Sequence, residues 1–344
     1  MFKDINIEEL LEKQNQHEVT TIDVRSPSEF EESTIPGSVN IPLFNDEERA
    51  EIGTLYKQVS VDAAKQRGLE IVSAKLPSFI RQFQAIQGDK VVFCWRGGMR
   101  SRTTATLLTL MDVHVRRLDG GIRSYRRWVV DELEHFEMKP QAVVLGGNTG
   151  SGKTSILRKL KEEGYPVLDL EAMAGHRGSV FGQIGLVPHN QKTFDSLLLQ
   201  GLLQVQHSPY VLLEAESKRI GKVTMPDFLA RKKEEGIQLW VELPMEERVR
   251  QILLDYAPAS HHEQCMSAFK KIKERIHTPI AKEIDIYLQS GRFAEAVEML
   301  LVHYYDPRYE YTAREIEQER RVMIRAANVD EAIVQIKQVL QAEF

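Results

Sequence analysis

The feature that most constrains this chain is the run Gly147-Asn148-Thr149-Gly150-Ser151-Gly152-Lys153-Thr154. It follows the short apolar segment Ala142–Leu145 and leads into a helical pattern that begins at Lys153. The run satisfies G-x-x-x-x-G-K-[ST] between a strand and a helix, the context in which that spacing wraps a phosphate. Glycines let backbone N–H groups converge on an anion without Cβ interference, and the helix N-terminus adds positive potential. Lys153 then brings a point charge to a terminal phosphate, and the Thr154 hydroxyl suits Mg²⁺. Such a loop commits the surrounding chain to strand–helix units on a parallel sheet.

The acid that would accompany Mg²⁺ has two candidates at apolar strand ends. One is Asp169 after Val167-Leu168; the other is Glu214, with Glu216 close by, after Leu212-Leu213. Solvated strand ends remain the alternative for both. No N-K-x-D element occurs, which disfavours guanine recognition. The glycine-punctuated segment 175–182 carries His176, Arg177 and Ser179 and is expected to close over a substrate; a plain flexible connection is the alternative.

A second loop of the same construction lies upstream. Cys94-Trp95-Arg96-Gly97-Gly98-Met99-Arg100-Ser101 joins the apolar strand Lys90–Cys94 to a helix over Ser101–Met111. A cysteine there is expected at the mouth of a ring of backbone amides, where a helix N-terminus favours its thiolate. Arg96 and Arg100 add charge-assisted donors to the anion cradle formed by Trp95 to Arg100. An inert cysteine closing a strand would lack such electropositive surroundings. Cys265, in the charge-balanced stretch HHEQCMSAFKK, reads as structural. C-x5-R admits a cysteine phosphatase or a transferase whose thiolate handles sulfur or selenium.

Organisation follows from the alternation of elements. Strands at Thr20–Arg25, Val39–Ile41, Lys90–Cys94 and Val115–Leu118 alternate with helical patterns, among them the amphipathic Ser78–Gln87. The alternation restarts after Lys139-Pro140. Strands at Ala142–Leu145, Pro166–Leu170, Tyr210–Glu214 and Gln238–Leu243 then surround a helix at Gln191–His207. From about Glu246 the pattern is helical. The expected fold class is therefore α/β, with one parallel-sheet domain over 1–138 and a phosphate-loop α/β domain with a helical C-terminal tail over 139–344. Of 344 residues, 45 are Lys or Arg and 50 are Asp or Glu, for a net charge of −5. Residues 81–128 hold ten basic side chains against three acids, so this segment is +7 and the remainder −12. A local basic face on an acidic chain points to a specific anionic partner. Two cysteines make no disulfide framework, no Cys/His spacing suggests a zinc site, and no apolar run is long enough to span a bilayer. A cytoplasmic monomer without a membrane partner or a resident metal is expected.

The flanking landmarks carry a resemblance. Ile22-Asp23-Val24-Arg25-Ser26-Pro27-Ser28-Glu29-Phe30, Ile35-Pro36-Gly37-Ser38, the Cys94 loop, Gly120-Gly121 and Trp128 resemble the rhodanese domain along its length. That domain joined to a P-loop NTPase-like domain, with G-H-R-G-S-x-F-G at Gly175–Gly182 and Tyr304-Tyr305-Asp306-Pro307-Arg308-Tyr309, is similar to the bacterial tRNA 2-selenouridine synthase family. The resemblance implies a transferase acting on the wobble 2-thiouridine of tRNAs for lysine, glutamate and glutamine. It implies geranyl diphosphate and selenophosphate as co-substrates, Mg²⁺ as a further possibility, and no tightly bound cofactor. Cys94 would carry selenium or attack the base, with Arg96 and Arg100 gripping selenophosphate. Gly147 to Thr154 would hold a diphosphate or ATP. The basic segment would meet tRNA, and Trp95 or the tyrosines near Tyr304 could stack a base, although packing roles suit those aromatics too. The rival reading is a sulfurtransferase fused to a nucleotide-binding or kinase domain that serves small molecules.

Overall fold

The computed structural model describes residues 2–308 and 321–344; Tyr309 of the aromatic segment lies outside them. The chain separates into two compact units, Met1–His135 and Phe136–Phe344. Among the described residues no helix is long and apolar enough to cross a membrane.

The first unit is built on strands β1 (Lys3–Ile5), β2 (Val19–Asp23), β3 (Val39–Asn40), β4 (Asp89–Phe93) and β5 (Arg116–Leu118), in the order β1-β5-β4-β2-β3 and all parallel. Val91, Val92 and Phe93 are completely buried, as a central parallel strand covered on both faces requires. The edge strand β1 escapes the sequence pattern because it has only three residues; Ile5 alone anchors it in the core. The amphipathic stretch expected at Ser78–Gln87 is the end of a longer helix, Val61–Gln84, which packs beside the helix Asp46–Gln58.

Just past β2, the Asp-x-Arg landmark turns out to be a buried ion pair. Asp23 and Arg25 are 0% and 1% exposed. The Arg25 guanidinium meets the carboxylate at 2.6 and 3.0 Å and also donates to the Ser33 carbonyl at 2.5 Å. Thr34 and the Arg25 amide add donors to Asp23 at 3.0 Å each. The pair is therefore fully hydrogen-bonded, the condition under which buried charges are tolerated.

The second unit holds β6 (Gln141–Gly147), β7 (Val167–Leu168), β8 (Tyr210–Glu214), a small hairpin of β9 (Arg219–Ile220) and β10 (Val223–Thr224), β11 (Ile237–Glu242) and β12 (Arg321–Arg325). Its sheet runs β12-β11-β6-β8-β7, all parallel. β6 is central, and the phosphate loop leaves its carboxyl end, where open α/β sheets place their ligands.

The tail departs from the all-helical expectation. β12 interrupts it, pairing Arg321 to Arg325 with Gln238 to Glu242. Only Ile324 of β12 is fully buried, so the five-residue run gives little periodic signal among charged neighbours. The final helix, Val329–Glu343, buries Val329, Ile333, Ile336 and Leu340 against the same core as Leu145 and Ile156.

Replacing Arg25 with Met strands the Asp23 carboxylate in the core. The expected loss is ~3–5 kcal/mol of stability, read as a large fall in the thermal midpoint of the intact chain; a change within error would show that the pair contributes nothing.

Candidate functional site

The thiol loop begins where β4 ends. Cys94 is 3% exposed, so it lies on the floor of the loop rather than at the expected mouth, because it directly extends a buried strand. Its Sγ is 3.2 Å from Ser101 Oγ, on the first turn of the helix Met99–Leu110. Among the described residues the amides from Trp95 to Ser101 donate to no acceptor. They line the N-terminus of that helix and form a built anion cradle. Two glycines with positive φ close it. Gly97 (φ +63°) and Gly121 (φ +60°) pack backbone to backbone, and a Cβ on Gly121 would lie 2.3 Å from the Cys94 carbonyl oxygen. Ile122 and Arg123 donate back to Cys94 and Trp95 at 2.9 and 3.1 Å.

The arginines around this loop divide into two groups. Arg100 is bound by both Glu29 oxygens, one at 3.1 Å, and Glu29 also meets Arg49 at 3.6 Å. Burial works against the Arg100 charge, but Glu29 outweighs it and holds the guanidinium above its ordinary pKa, with Cys94 and Asp23 adding to the effect. Arg117 donates to the Gly97 carbonyl at 2.7 Å and pairs with Asp4 at 2.7 Å; charge on Cys94 also favours its protonated form. Arg100 and Arg117 therefore set the potential around Cys94 as fixed charges. Arg96, Trp95 and Met99 are exposed, Trp95 by 42% and Met99 by 57%. Of the other basic side chains in 81–128, Arg116 pairs with Glu9 and Asp89, Lys90 is buried, and Arg81, Arg102, Arg123 and Arg127 stay exposed.

The phosphate loop is folded as its spacing predicts. Gly150 (φ +81°) and Gly152 (φ +73°) take the left-handed turns, and Gly152 caps the helix Lys153–Glu162. Among the described residues the amides of Gly150, Gly152, Lys153 and Thr154 have no acceptor. Lys153 Nζ lies along the loop, 3.0 Å from the Gly147 carbonyl and 3.3 Å from that of Asn148. The side chain of Ser151 is buried beneath it, 3.4 Å away.

A clamp that the motif does not reveal fixes this loop. Arg248, 6% exposed on the helix Met245–Tyr256, donates twice to the Thr149 carbonyl at 2.9 and 3.0 Å. It also grips Asp306 through both oxygens at 2.6 and 2.9 Å, and Asn148 donates to Asp306 at 3.3 Å. Asp306 was visible in the aromatic segment; Arg248 had no local signal. In the same segment Tyr304 is buried, with Arg308 stacked 3.6 Å from its ring centre, so this tyrosine is packing.

The acids around Thr154 sort differently from the sequence reading. Asp169 caps the short helix Leu170–Ala174 by accepting from Ala172 at 2.8 Å. Glu214 is completely buried; one oxygen accepts from the Leu170 amide at 2.9 Å and the other, among the described residues, has no partner. Burial, then repulsion from Asp169 and Glu171, pushes its pKa well up. Glu171, which the sequence did not single out, accepts from the Thr154 hydroxyl at 2.9 Å. Burial and the nearby Glu216 push it up to about 8. Two desolvated carboxyls, one with an orphaned oxygen, beside a hydroxyl and a phosphate loop fit a hard cation that keeps several waters. Among the described residues no group of three His, Cys, Asp or Glu could form a closed metal cage. Lys233 completes the cluster, donating to the Glu216 carbonyl; burial lowers its pKa to about 8.

The 175–182 segment is scaffold rather than a free flap. Arg177 spends its guanidinium on the carbonyls of Ile184 and Asp255 at 2.8 and 2.7 Å and stacks on Tyr256. Ser179 lies 3.4 Å from the Tyr256 hydroxyl. His176 accepts from the Gly178 amide at 3.1 Å, and burial lowers its pKa. Beside this segment Thr149, Phe181, Tyr256, Leu301 and Tyr305 line a narrow apolar cavity of about 50 Å³.

Comparison with known proteins supplies the remaining findings. Residues 140–284 match the model described as the tRNA 2-selenouridine synthase AAA domain, and residues 6–127 match the rhodanese-like domain. A tRNA 2-selenouridine synthase of Bdellovibrio bacteriovorus is 31% identical over 86% of this chain and 89% of its own. One from Nitrosomonas europaea is 34% identical over 75% of this chain and 69% of its own.

Two outcomes follow from the geometry. Arg248→Met leaves Asp306 and the Thr149 carbonyl without their partner, and inorganic pyrophosphate should bind about 10–100-fold more weakly by calorimetry in a chain that still folds. Lys233→Met removes a buried amine whose charging is disfavoured in the fold. Because the folded pKa lies below the unfolded one, the wild-type chain carries that cost below about pH 8 and sheds it as pH rises toward 10.5. The stability gap between variant and wild type should therefore change in favour of the wild type across that window.

Proposed function

Because the chain belongs to the tRNA 2-selenouridine synthase family and so acts as an enzyme on tRNA, we propose that it converts wobble 2-thiouridine to 2-selenouridine in two transfers. The first alkylates the thiocarbonyl sulfur with geranyl diphosphate at the phosphate loop. The second replaces the geranylated sulfur with selenium from selenophosphate at the Cys94 loop. The substrates under this proposal are the tRNAs for lysine, glutamate and glutamine.

In the first transfer the sulfur attacks C1 of the geranyl group, the C1–O bond breaks, pyrophosphate leaves and the N3 proton of the base is released to solvent or to the pyrophosphate. Lys153 and the amides of Gly150, Gly152, Lys153 and Thr154 bind the oxygens on which charge develops. Thr154 and Glu171 would hold Mg²⁺, which lowers the negative charge of the diphosphate. Hydrocarbon walls beside Thr149 suit an isoprene unit better than a ribose, which supports geranyl diphosphate over ATP.

In the second transfer the Cys94 thiolate attacks C2, and geranylthiol leaves with one proton. The selenium of selenophosphate then attacks C2 and expels Cys94, and water cleaves the Se–P bond. The sum consumes one geranylated base, one hydrogen selenophosphate and one water, and yields the selenouridine, geranylthiol and hydrogen phosphate. No electrons change hands, so no external reductant is needed. A route in which Cys94 itself becomes a perselenide would need selenium at a higher oxidation level than selenophosphate supplies.

The observation that carries this reading is the pairing of a cysteine with unengaged loop amides: Cys94 sits beneath acceptor-free N–H groups, with Arg100 and Arg117 held as fixed charges nearby. Purified chain is incubated with 2-thiouridine tRNA, geranyl diphosphate and selenophosphate, each omitted in turn, and nucleosides are measured by mass spectrometry. Cys94→Ala should accumulate the S-geranyl nucleoside and make no selenouridine. Lys153→Ala should lose geranylation at least 100-fold yet still select selenium for pre-geranylated RNA. Wild-type selenouridine levels with Cys94→Ala would remove the cysteine from the mechanism.

A further inference from the structure

The first unit contains a cleft that the two transfers leave unexplained. About 690 Å³ of space lies between the helices Asp46–Gln58 and Val61–Gln84 and the start of Met99–Leu110. That is the size of a small-molecule site. Its walls are mostly hydrocarbon, from Leu43, Phe44 and Val72 at depth to Tyr56, Val61 and Leu69 at the surface. Leu69 is 71% exposed and Tyr56 57%, an unusual concentration of apolar surface around one opening. Cations stand among these walls: Arg49, Lys57, Lys65 and Arg96.

The decisive feature is where the cleft ends. Trp95, Arg96, Met99 and Arg100 line both the cleft and the Cys94 loop. Glu29 ties them together, since it holds Arg100 of the loop and Arg49 of the cleft. A molecule lying in the cleft therefore has its head at the amide cradle and its tail between the two long helices. The complementary ligand is an amphiphile, with a hydrocarbon chain and a polar head among anionic neighbours.

We infer that this cleft seats the prenyl chain of the S-alkylated nucleobase while C2 is presented to Cys94. The inference rests on the two-transfer reading above, and it names the site that recognises the intermediate. The chain fits the hydrocarbon walls, the base sits at the cradle, and the flanking RNA phosphates meet the cations of the cleft. Such a site makes the alkyl group both leaving group and handle, so a bare 2-thiouridine forgoes the binding that the tail supplies.

The test uses anticodon stem-loop RNAs bearing S-methyl-, S-dimethylallyl- or S-geranyl-2-thiouridine, with the purified full chain. Affinity is measured by fluorescence anisotropy, and selenouridine formation is followed with added selenophosphate. The expected result is at least tenfold tighter binding of the S-geranyl RNA than of the S-methyl RNA, with dimethylallyl between them. Leu69→Gln and Tyr56→Gln, neutral changes at exposed positions, should each erase most of that preference with S-methyl RNA binding changed less than twofold; Leu69→Met should retain it. Equal affinity for all three RNAs, or a preference untouched by both variants, overturns the inference. If the wild-type chain prefers S-geranyl RNA yet forms no selenouridine from it, the cleft assignment holds and the selenation reading fails.

Discussion

Both loops of this chain are built on backbone N–H groups that, among the described residues, have no acceptor. At the start of an α-helix the first amides have no intrahelical acceptor, and in a parallel sheet each strand that feeds a helix delivers such a terminus to the carboxyl edge. The molecule builds this arrangement twice, once after β4 and once after β6, with glycines of positive φ turning the chain so that the amides converge. What differs is the side chain at the base: a thiol in the first unit, an ammonium and a hydroxyl in the second. One backbone device thus recurs beneath two different sets of side chains.

Charge around both loops is supplied by groups that are themselves restrained. Arg100 and Arg248 are each gripped through two carboxylate oxygens, by Glu29 and Asp306 respectively. A guanidinium held in this way contributes potential without a reorganisation cost at the moment of reaction. Arg96 is the contrasting case, exposed and suited to moving onto an anion. The two arginines of the loop therefore differ: Arg96 is exposed, and Arg100 is held by Glu29.

The same distinction explains what the sequence could and could not disclose. Motifs whose chemistry is complete within eight residues are legible, because their glycines and cations declare a backbone shape: the phosphate loop and the cysteine loop. Partners brought together from far apart are not. Arg100 is 71 residues from Glu29, and Arg248 is 58 from Asp306. Glu171 was passed over for Asp169 two positions earlier, since an acid directly after an apolar strand looks like a strand-end ligand. The fold instead uses Asp169 as a helix cap and aims Glu171 at Thr154. Arg177 shows the same limit: a cation among glycines suggests a loop that closes over a substrate, while its carbonyl acceptors, one of them 78 residues away, have no local signal.

The burial of Cys94 follows from its place at the end of a buried strand. A thiolate in bulk solvent is stabilised by water that must be stripped away before attack. On the loop floor, Cys94 has fixed amides and the guanidinium groups of Arg100 and Arg117 for neighbours. Core residues such as Ile22, Val24 and Val92 pack in the same cluster as Cys94, while a Cβ at Gly98 would meet nothing within 4 Å. The sulfur is thus shielded by the core from beneath, and the loop retains open space for an incoming anion or base.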